Sequence, residues 1–146
     1  MRKVLFVCIH NSARSQMAEA FLNELGKGDF AAESGGIEKG TLNPLVVKSM
    51  LQEGIDISTN QTKEVAEFIK QGKTYDAVIT VCDAANAERC PVFPGKIKKV
   101  AWFFEDPSAL QGTEEEKLRQ VALIRDEIKA EVLKFIDAAR QPGYWN

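Results

Sequence analysis

Cys8 and Arg14 are the residues whose types and spacing most directly suggest chemistry. Cys8 ends an apolar run typical of a strand, and a helix-forming segment begins near Ala13. A thiol there faces unpaired backbone N–H groups and the positive end of a helix dipole, which favour the thiolate. The same N–H groups and the Arg14 guanidinium can bind a tetrahedral oxyanion, and Ser15 can donate its hydroxyl to the sulfur. The predicted oxyanion-binding loop consists of Cys8, Ile9, His10, Asn11, Ser12, Ala13, Arg14 and Ser15.

A carboxylic acid follows the last predicted strand. Asp106 precedes Pro107 in what should be a loop, where it could protonate a departing oxygen. An Asp-Pro pair also commonly opens a turn, so a structural role is the alternative. Together, a thiolate, an oxyanion cradle, an arginine and an acid suit covalent transfer at phosphorus or arsenic.

Two further cysteines leave the fate of such an adduct open. If water attacked the adduct on Cys8, the protein would be a phosphatase. If Cys82 attacked Cys8 instead, the adduct would leave with two electrons and a disulfide would form, which Cys90 could then take over. Cys90 lies eight positions after Cys82, a separation that a turn or a partly unwound helix can close.

Strand-like and helical segments alternate along the chain. Strands are predicted at 4–8, 30–34, 75–82 and 98–102, and helices at 13–25, 43–54, 62–71 and 113–141. This order predicts a three-layer α/β fold with a four-stranded parallel sheet. The carboxyl ends of its strands would place Cys8, Ser34, Cys82 and Asp106 near one edge, where such folds bind ligands.

Three local expectations accompany this order. Gly35-Gly36 should form a turn, Thr62 should cap the third helix, and Gln141 to Asn146 should be an exposed tail.

Composition narrows the class of protein. The chain has 146 residues, of which 45% are hydrophobic, and a net charge of −2. We therefore expect one domain over residues 1–146, a monomer, with no affinity for nucleic acid or membranes. The apolar N-terminal run is too short for a signal peptide, and three cysteines do not suggest a disulfide framework. These features predict a cytoplasmic protein.

The motifs taken together resemble the thioredoxin-coupled arsenate reductases, which share the flavodoxin-like fold of the low-molecular-weight protein tyrosine phosphatases. The resemblance covers nearly the whole chain, to about Ala139. It is carried by the loop Cys8 to Ser15, Gln16-Met17-Ala18-Glu19, Gly54-Ile55-Asp56-Ile57-Ser58, Cys82, Cys90-Pro91 and Glu105-Asp106-Pro107.

This resemblance implies a mechanism and a set of site residues. Cys8 would attack arsenate, Cys82 would release arsenite, and Cys90 would form the disulfide that thioredoxin reduces. Arg14 and Ser15 would bind the oxyanion. Asp106 would be the acid.

The resemblance also implies what else the protein binds. No cofactor would be tightly bound, and an external thiol would supply electrons. Asn11, Glu19 and Ser34 match positions that help hold a potassium ion in some members of the family.

Three positions depart from the family pattern. His10 stands where glycine is usual, which brings a bulky side chain into the loop. Ala13 replaces a cysteine that the proposed relay does not need. The interval between Cys82 and Cys90 is one residue longer than usual, which bears on the last step of the relay.

Two other functions fit parts of the pattern. A tyrosine phosphatase would use the same loop and acid, but Ser108-Ala109-Leu110 stand where such enzymes typically carry aromatic residues. A thiol-based metal or arsenite sensor would use Cys8, His10, Cys82 and Cys90. The sequence has no Cys-x-x-Cys motif and a single histidine, which counts against the sensor.

Overall fold

The computed structural model describes residues 1–38, 40–81 and 95–146. The strands are β1 (Arg2–Cys8), β2 (Phe30–Gly36), β3 (Ala77–Thr80) and β4 (Lys98–Ala101). The helices are α1 (Arg14–Leu25), α2 (Pro44–Leu51), α3 (Val65–Lys70) and α4 (Glu114–Ala139), with a short 3-10 helix at Pro107–Ala109. Within these ranges no helix is both long and apolar enough to cross a membrane.

The four strands form one parallel sheet in the order β2-β1-β3-β4. This confirms the predicted fold class. The chain order reverses beside β1, so the loop after Cys8 lies at the topological switch point of the sheet.

Helices cover both faces of the sheet, which explains why β1 is an unbroken apolar run. Val4 and Phe6 face the larger core, formed with α1, α2 and α4, whereas Leu5 and Val7 face α3. Residues Val4 through Val7 are all fully buried. A strand anchored on both faces gives the loop after it a fixed starting point.

Two helix starts follow the sequence prediction. Asn43 Oδ1 accepts the N–H of Leu45 at 2.9 Å, and Pro44 occupies the first turn of α2. Thr113 Oγ1 accepts the N–H of Glu116 at 3.1 Å at the start of α4. These caps hold α2 and α4 on the face that supports the oxyanion loop.

The predicted turn at Gly35-Gly36 is wrong, because both residues belong to β2 and pair with Val7 and Cys8. A Cβ atom on Gly36 would lie 2.6–2.8 Å from backbone atoms of Glu38, Asn11 and His10. Glycine therefore allows the loop to lie directly against the strand.

The predicted cap at Thr62 is also wrong. Glu64 holds the N-cap position of α3, and the Thr62 hydroxyl donates to the carbonyl of Gly40 at 2.6 Å. The hydroxyl therefore connects two loops near the site and does not serve the helix.

The predicted exposed tail is confirmed in part: Gln141, Pro142, Gly143 and Asn146 are exposed, whereas Tyr144 and Trp145 are partly buried. Tyr144 and Trp145 pack on the core beside Phe135, and Trp145 Nε1 donates to the carbonyl of Ala139 at 3.0 Å. Burial raises the pKa of Tyr144. The aromatic side chains thus fold the tail back onto the amino-terminal edge of the sheet.

Candidate active site

The Cys8 thiol is enclosed by its own loop and the first turn of α1. Its Sγ lies 2.9 Å from Ser15 Oγ and accepts the N–H of Asn11 at 3.2 Å. Cys8 is 3% exposed, and both partners are fully buried. The Asn11 N–H points at the sulfur and the Ser15 hydroxyl can donate to it, an arrangement that suits a nucleophilic thiol.

Asn11 holds the loop in shape. Among the described residues other than glycine, it alone has a positive φ, 55°, a conformation that asparagine tolerates well. Its Nδ2 donates to Ser15 Oγ at 2.8 Å, and its Oδ1 accepts from Gln16 Nε2 and from the backbone N–H of Lys63, both at 3.0 Å. One side chain therefore connects the loop, the helix and a distant segment.

Backbone carbonyls of the loop point outward. The carbonyls of Cys8 and Ile9 accept the N–H groups of Ile37 and Glu38 at 3.0 and 2.8 Å, and that of Ser12 accepts the N–H of Asn43 at 2.9 Å. Because a peptide group is planar and trans, the N–H of each following residue points away from these segments. This orientation suits an anion cradle.

Arg14 and Asp106 lie together beside the loop. Arg14 Nη2 is 3.8 Å from Asp106 Oδ2, and Arg14 Nη1 donates to the carbonyl of Phe104 at 3.0 Å. The Arg14 side chain is buried, whereas that of Asp106 is 36% exposed. Asp106 Oδ1 also accepts the N–H of Ser108 at 2.9 Å, so it shapes the turn as well as lying beside the arginine.

The backbone of His10 does not adopt the left-handed conformation that favours glycine, since its φ is not positive. Its side chain is half exposed, with Nδ1 3.8 Å from Glu38 Oε2. A Cβ atom on Gly40 would lie 2.6 Å from the Cβ of His10. Glycine at position 40 thus makes room for the His10 side chain.

Glu19 and Ser34, two of the predicted potassium ligands, are adjacent. The Ser34 hydroxyl donates to Glu19 Oε1 at 3.0 Å, and Lys63 Nζ lies 3.4 Å from the same oxygen. Asn11 is linked to this pair through Lys63, whose backbone N–H it accepts. The local sequence does not reveal the role of Lys63, whose backbone N–H reaches the loop from 52 residues away, or that of Gln16, whose side chain bonds Asn11 from within the same loop–helix segment.

Cys82 and Cys90 lie outside the described residues, so their predicted roles stay predictions. Among the described residues, no group of three or more histidine, cysteine, aspartate or glutamate side chains is arranged to hold a metal ion. The described part of the site is therefore a thiol, an oxyanion loop, an arginine and a carboxylate.

A doubly wound sheet with a buried thiol and an arginine in one loop at its switch point defines a class of cysteine-based oxyanion-binding proteins. Comparison with known sequences then identifies the family. The sequence profile of the low molecular weight phosphotyrosine protein phosphatases matches residues 3–141. The chain belongs to this family.

Its relatives include proteins named as arsenate reductases. The one from Bacillus subtilis strain 168 is 39% identical over 137 residues, which are 94% of this chain and 96% of that protein. One from Shouchella clausii is 40% identical over 134 residues, 92% of this chain and 94% of that protein. These relatives confirm the resemblance seen in the sequence.

A solved structure described as an arsenate reductase in the phosphate binding state has a TM-score of 0.73 and 34% identity, covering 94% of this chain and 98% of that one. A thioredoxin-dependent arsenate reductase from Corynebacterium glutamicum has a TM-score of 0.66 and 26% identity. That likeness covers 96% of this chain and 64% of the other.

Proposed function

We propose that this protein reduces arsenate to arsenite and draws its electrons from thioredoxin. The observation that carries the proposal is the Cys8 sulfur, held by Ser15 and Asn11 in a loop beside Arg14 and Asp106. The names of the relatives support arsenate as the substrate. The name of the Corynebacterium protein supports thioredoxin as the reductant.

The first step is covalent capture of the oxyanion. The Cys8 thiolate attacks arsenic and forms an S–As bond, while an As–O bond breaks and the oxygen leaves as water after taking a proton from Asp106. Arg14 and the loop N–H groups stabilise the charge on the remaining oxygens.

The second step is reduction by the other two thiols. Cys82 as a thiolate attacks the sulfur of Cys8, and the electron pair of the S–As bond passes to arsenic, which leaves as arsenite. Attack of Cys90 on Cys82 then releases Cys8 and leaves a Cys82–Cys90 disulfide. The dithiol of thioredoxin reduces this disulfide by two electrons.

Disulfide mapping tests this relay. Reduced protein is mixed with arsenate, quenched with an alkylating agent and mapped by mass spectrometry, with phosphate as the control anion. We expect a Cys82–Cys90 bridge that needs arsenate. Cys82→Ser should abolish multiple turnover with arsenate.

Phosphatase chemistry is the competing outcome, since the family takes its name from phosphotyrosine phosphatases. A phosphatase would hydrolyse a phosphate monoester with many turnovers and would keep that activity in Cys82→Ser. Absence of any arsenate-driven disulfide, combined with such hydrolysis, would overturn the proposal.

A further inference from the structure

The amide that was predicted to bind potassium has no free lone pair on its oxygen. Asn11 Oδ1 already accepts two N–H groups, from Gln16 Nε2 and from the backbone of Lys63, each at 3.0 Å. An amide oxygen has two lone pairs. To bind potassium, Asn11 would have to give up a hydrogen bond that shapes the oxyanion loop.

The carboxylate that was predicted to bind potassium already has a cation beside it. The Glu19 side chain is 14% exposed, and its Oε1 receives the Ser34 hydroxyl at 3.0 Å and faces Lys63 Nζ at 3.4 Å. A largely buried carboxylate needs a compensating charge, which the ammonium supplies. A potassium ion here would place a second positive charge against the same group. The residues present therefore do not fit the ion.

We propose that the Lys63 ammonium takes the place of a bound monovalent cation and makes this protein indifferent to potassium. Lys63 is a positioning residue. Its backbone N–H holds Asn11, and its carbonyl accepts the N–H of Gly36 at 2.7 Å. Its side chain anchors the same backbone to Glu19 on α1, so the charge pair fixes the support of the oxyanion loop. This inference does not depend on whether arsenate is the substrate.

Thermal unfolding in different chlorides tests the proposal. Wild-type protein should have the same Tm in potassium, sodium and tetramethylammonium chloride at equal ionic strength. Lys63→Met leaves Glu19 without its cation, so it should unfold earlier, and potassium should raise its Tm specifically by about 2–4 °C. Lys63→Arg keeps the charge and should stay indifferent.

A lysine in a comparable ion pair away from the loop provides the matched control. Lys73 Nζ lies 2.7 Å from Glu33 Oε2, with both side chains 37% exposed. Lys73→Met removes an ion pair without freeing a predicted potassium ligand. Its Tm should not respond specifically to potassium.

Reactivity of the thiol gives a second measurement. Alkylation of Cys8 by iodoacetamide, followed on its own peptide by mass spectrometry, should depend on potassium in Lys63→Met and not in wild type. A purely structural role for Lys63 would slow or speed alkylation equally in all three salts.

Two results would overturn the proposal. One is potassium-specific stabilisation of the wild type, which requires no variant to observe. The other is a folded Lys63→Met, or Lys63→Gln should the first not fold, that shows no preference for potassium. Neither assay uses arsenate, so failure of the proposed function would be recognised separately.

Discussion

Polar side chains are buried at the carboxyl edge of the sheet and exposed at its amino edge. At the carboxyl edge, Asn11, Ser15 and Ser34 are fully buried. At the amino edge, Arg140 and Asp29 are half exposed and paired at 2.7 Å. Asn11 and Ser15 contact the thiol and Ser34 bonds Glu19 behind the loop, all out of reach of water, whereas water can replace either partner of the exposed pair.

This contrast separates two uses of polar groups. A buried hydrogen bond is costly to cut, because the partner left behind is unsatisfied and out of reach of water. An exposed ion pair is inexpensive to cut, because water solvates both charges. We therefore expect changes at the carboxyl edge to impair function and stability, and those at the amino edge to affect stability slightly.

The largest expected effect is on Arg14. Arg14→Lys keeps the positive charge but loses the planar guanidinium that can bind two oxygens of the anion at once. The kcat/KM for arsenate reduction should therefore fall about 10²–10³-fold. Steady-state kinetics coupled to thioredoxin measure it.

Arg125→Lys is the matched control for that variant. Arg125 is also buried, but its Nη1 donates to the carbonyl of Ser49 at 2.9 Å, between α4 and α2. Its replacement should lower stability and leave kcat/KM largely unchanged. Equal losses of kcat/KM in the two variants would mean that Arg14 acts through the fold.

Asn11→Ala should give the next largest effect. It leaves Gln16 and the Lys63 N–H without their acceptor and puts alanine at positive φ, so the free energy of unfolding should fall by about 2–4 kcal/mol. Urea denaturation measures this change.

Asn23→Ala is the corresponding control on the outer side of α1. The Asn23 side chain makes two hydrogen bonds, against three for Asn11: it accepts the N–H of Ala32 at 2.8 Å and donates to the carbonyl of Ala32 at 3.1 Å. Because it is exposed, its loss should cost about 1 kcal/mol. If both variants lost the same stability, burial of the network around Asn11 would not matter.

The sequence predicts the carboxyl edge well where the relevant contacts are local. Cys8 and Arg14 lie in one strand–loop–helix unit, so their proximity follows from short-range geometry. Lys63 cannot be placed in that way, because its contact with Asn11 joins segments 52 residues apart. Nothing in the local pattern around Lys63 signals that its backbone N–H is used there.

Predictions failed where a residue type has two common uses. Glycine is common in turns, but Gly36 lies in a strand, where its lack of a side chain lets the oxyanion loop pack directly against β2. Trp145 lies in a short polar tail, and its packing depends on Phe135, which only the folded chain brings near. The predicted domain extent and the roles of Cys82 and Cys90 stay predictions.

Trp145→Phe tests the amino edge with a moderate change. The variant keeps a ring but loses the bond from Nε1 to the carbonyl of Ala139, so the free energy of unfolding should fall by about 0.5–1.5 kcal/mol. Urea denaturation measures the loss, and arsenate kinetics should be unchanged. A marked fall in kcat/KM would show that the two edges are coupled.

Arg140→Ala should have the smallest effect. The pair with Asp29 is half exposed on both sides, so removing it should cost at most about 1 kcal/mol. Salt screens exposed charges, so the difference in stability from wild type should shrink as sodium chloride is added. The loss caused by Asn11→Ala should persist in the same titration, because neutral buried hydrogen bonds are not screened. A salt-independent loss in Arg140→Ala would show that this arginine supports the tail by packing of its aliphatic stem.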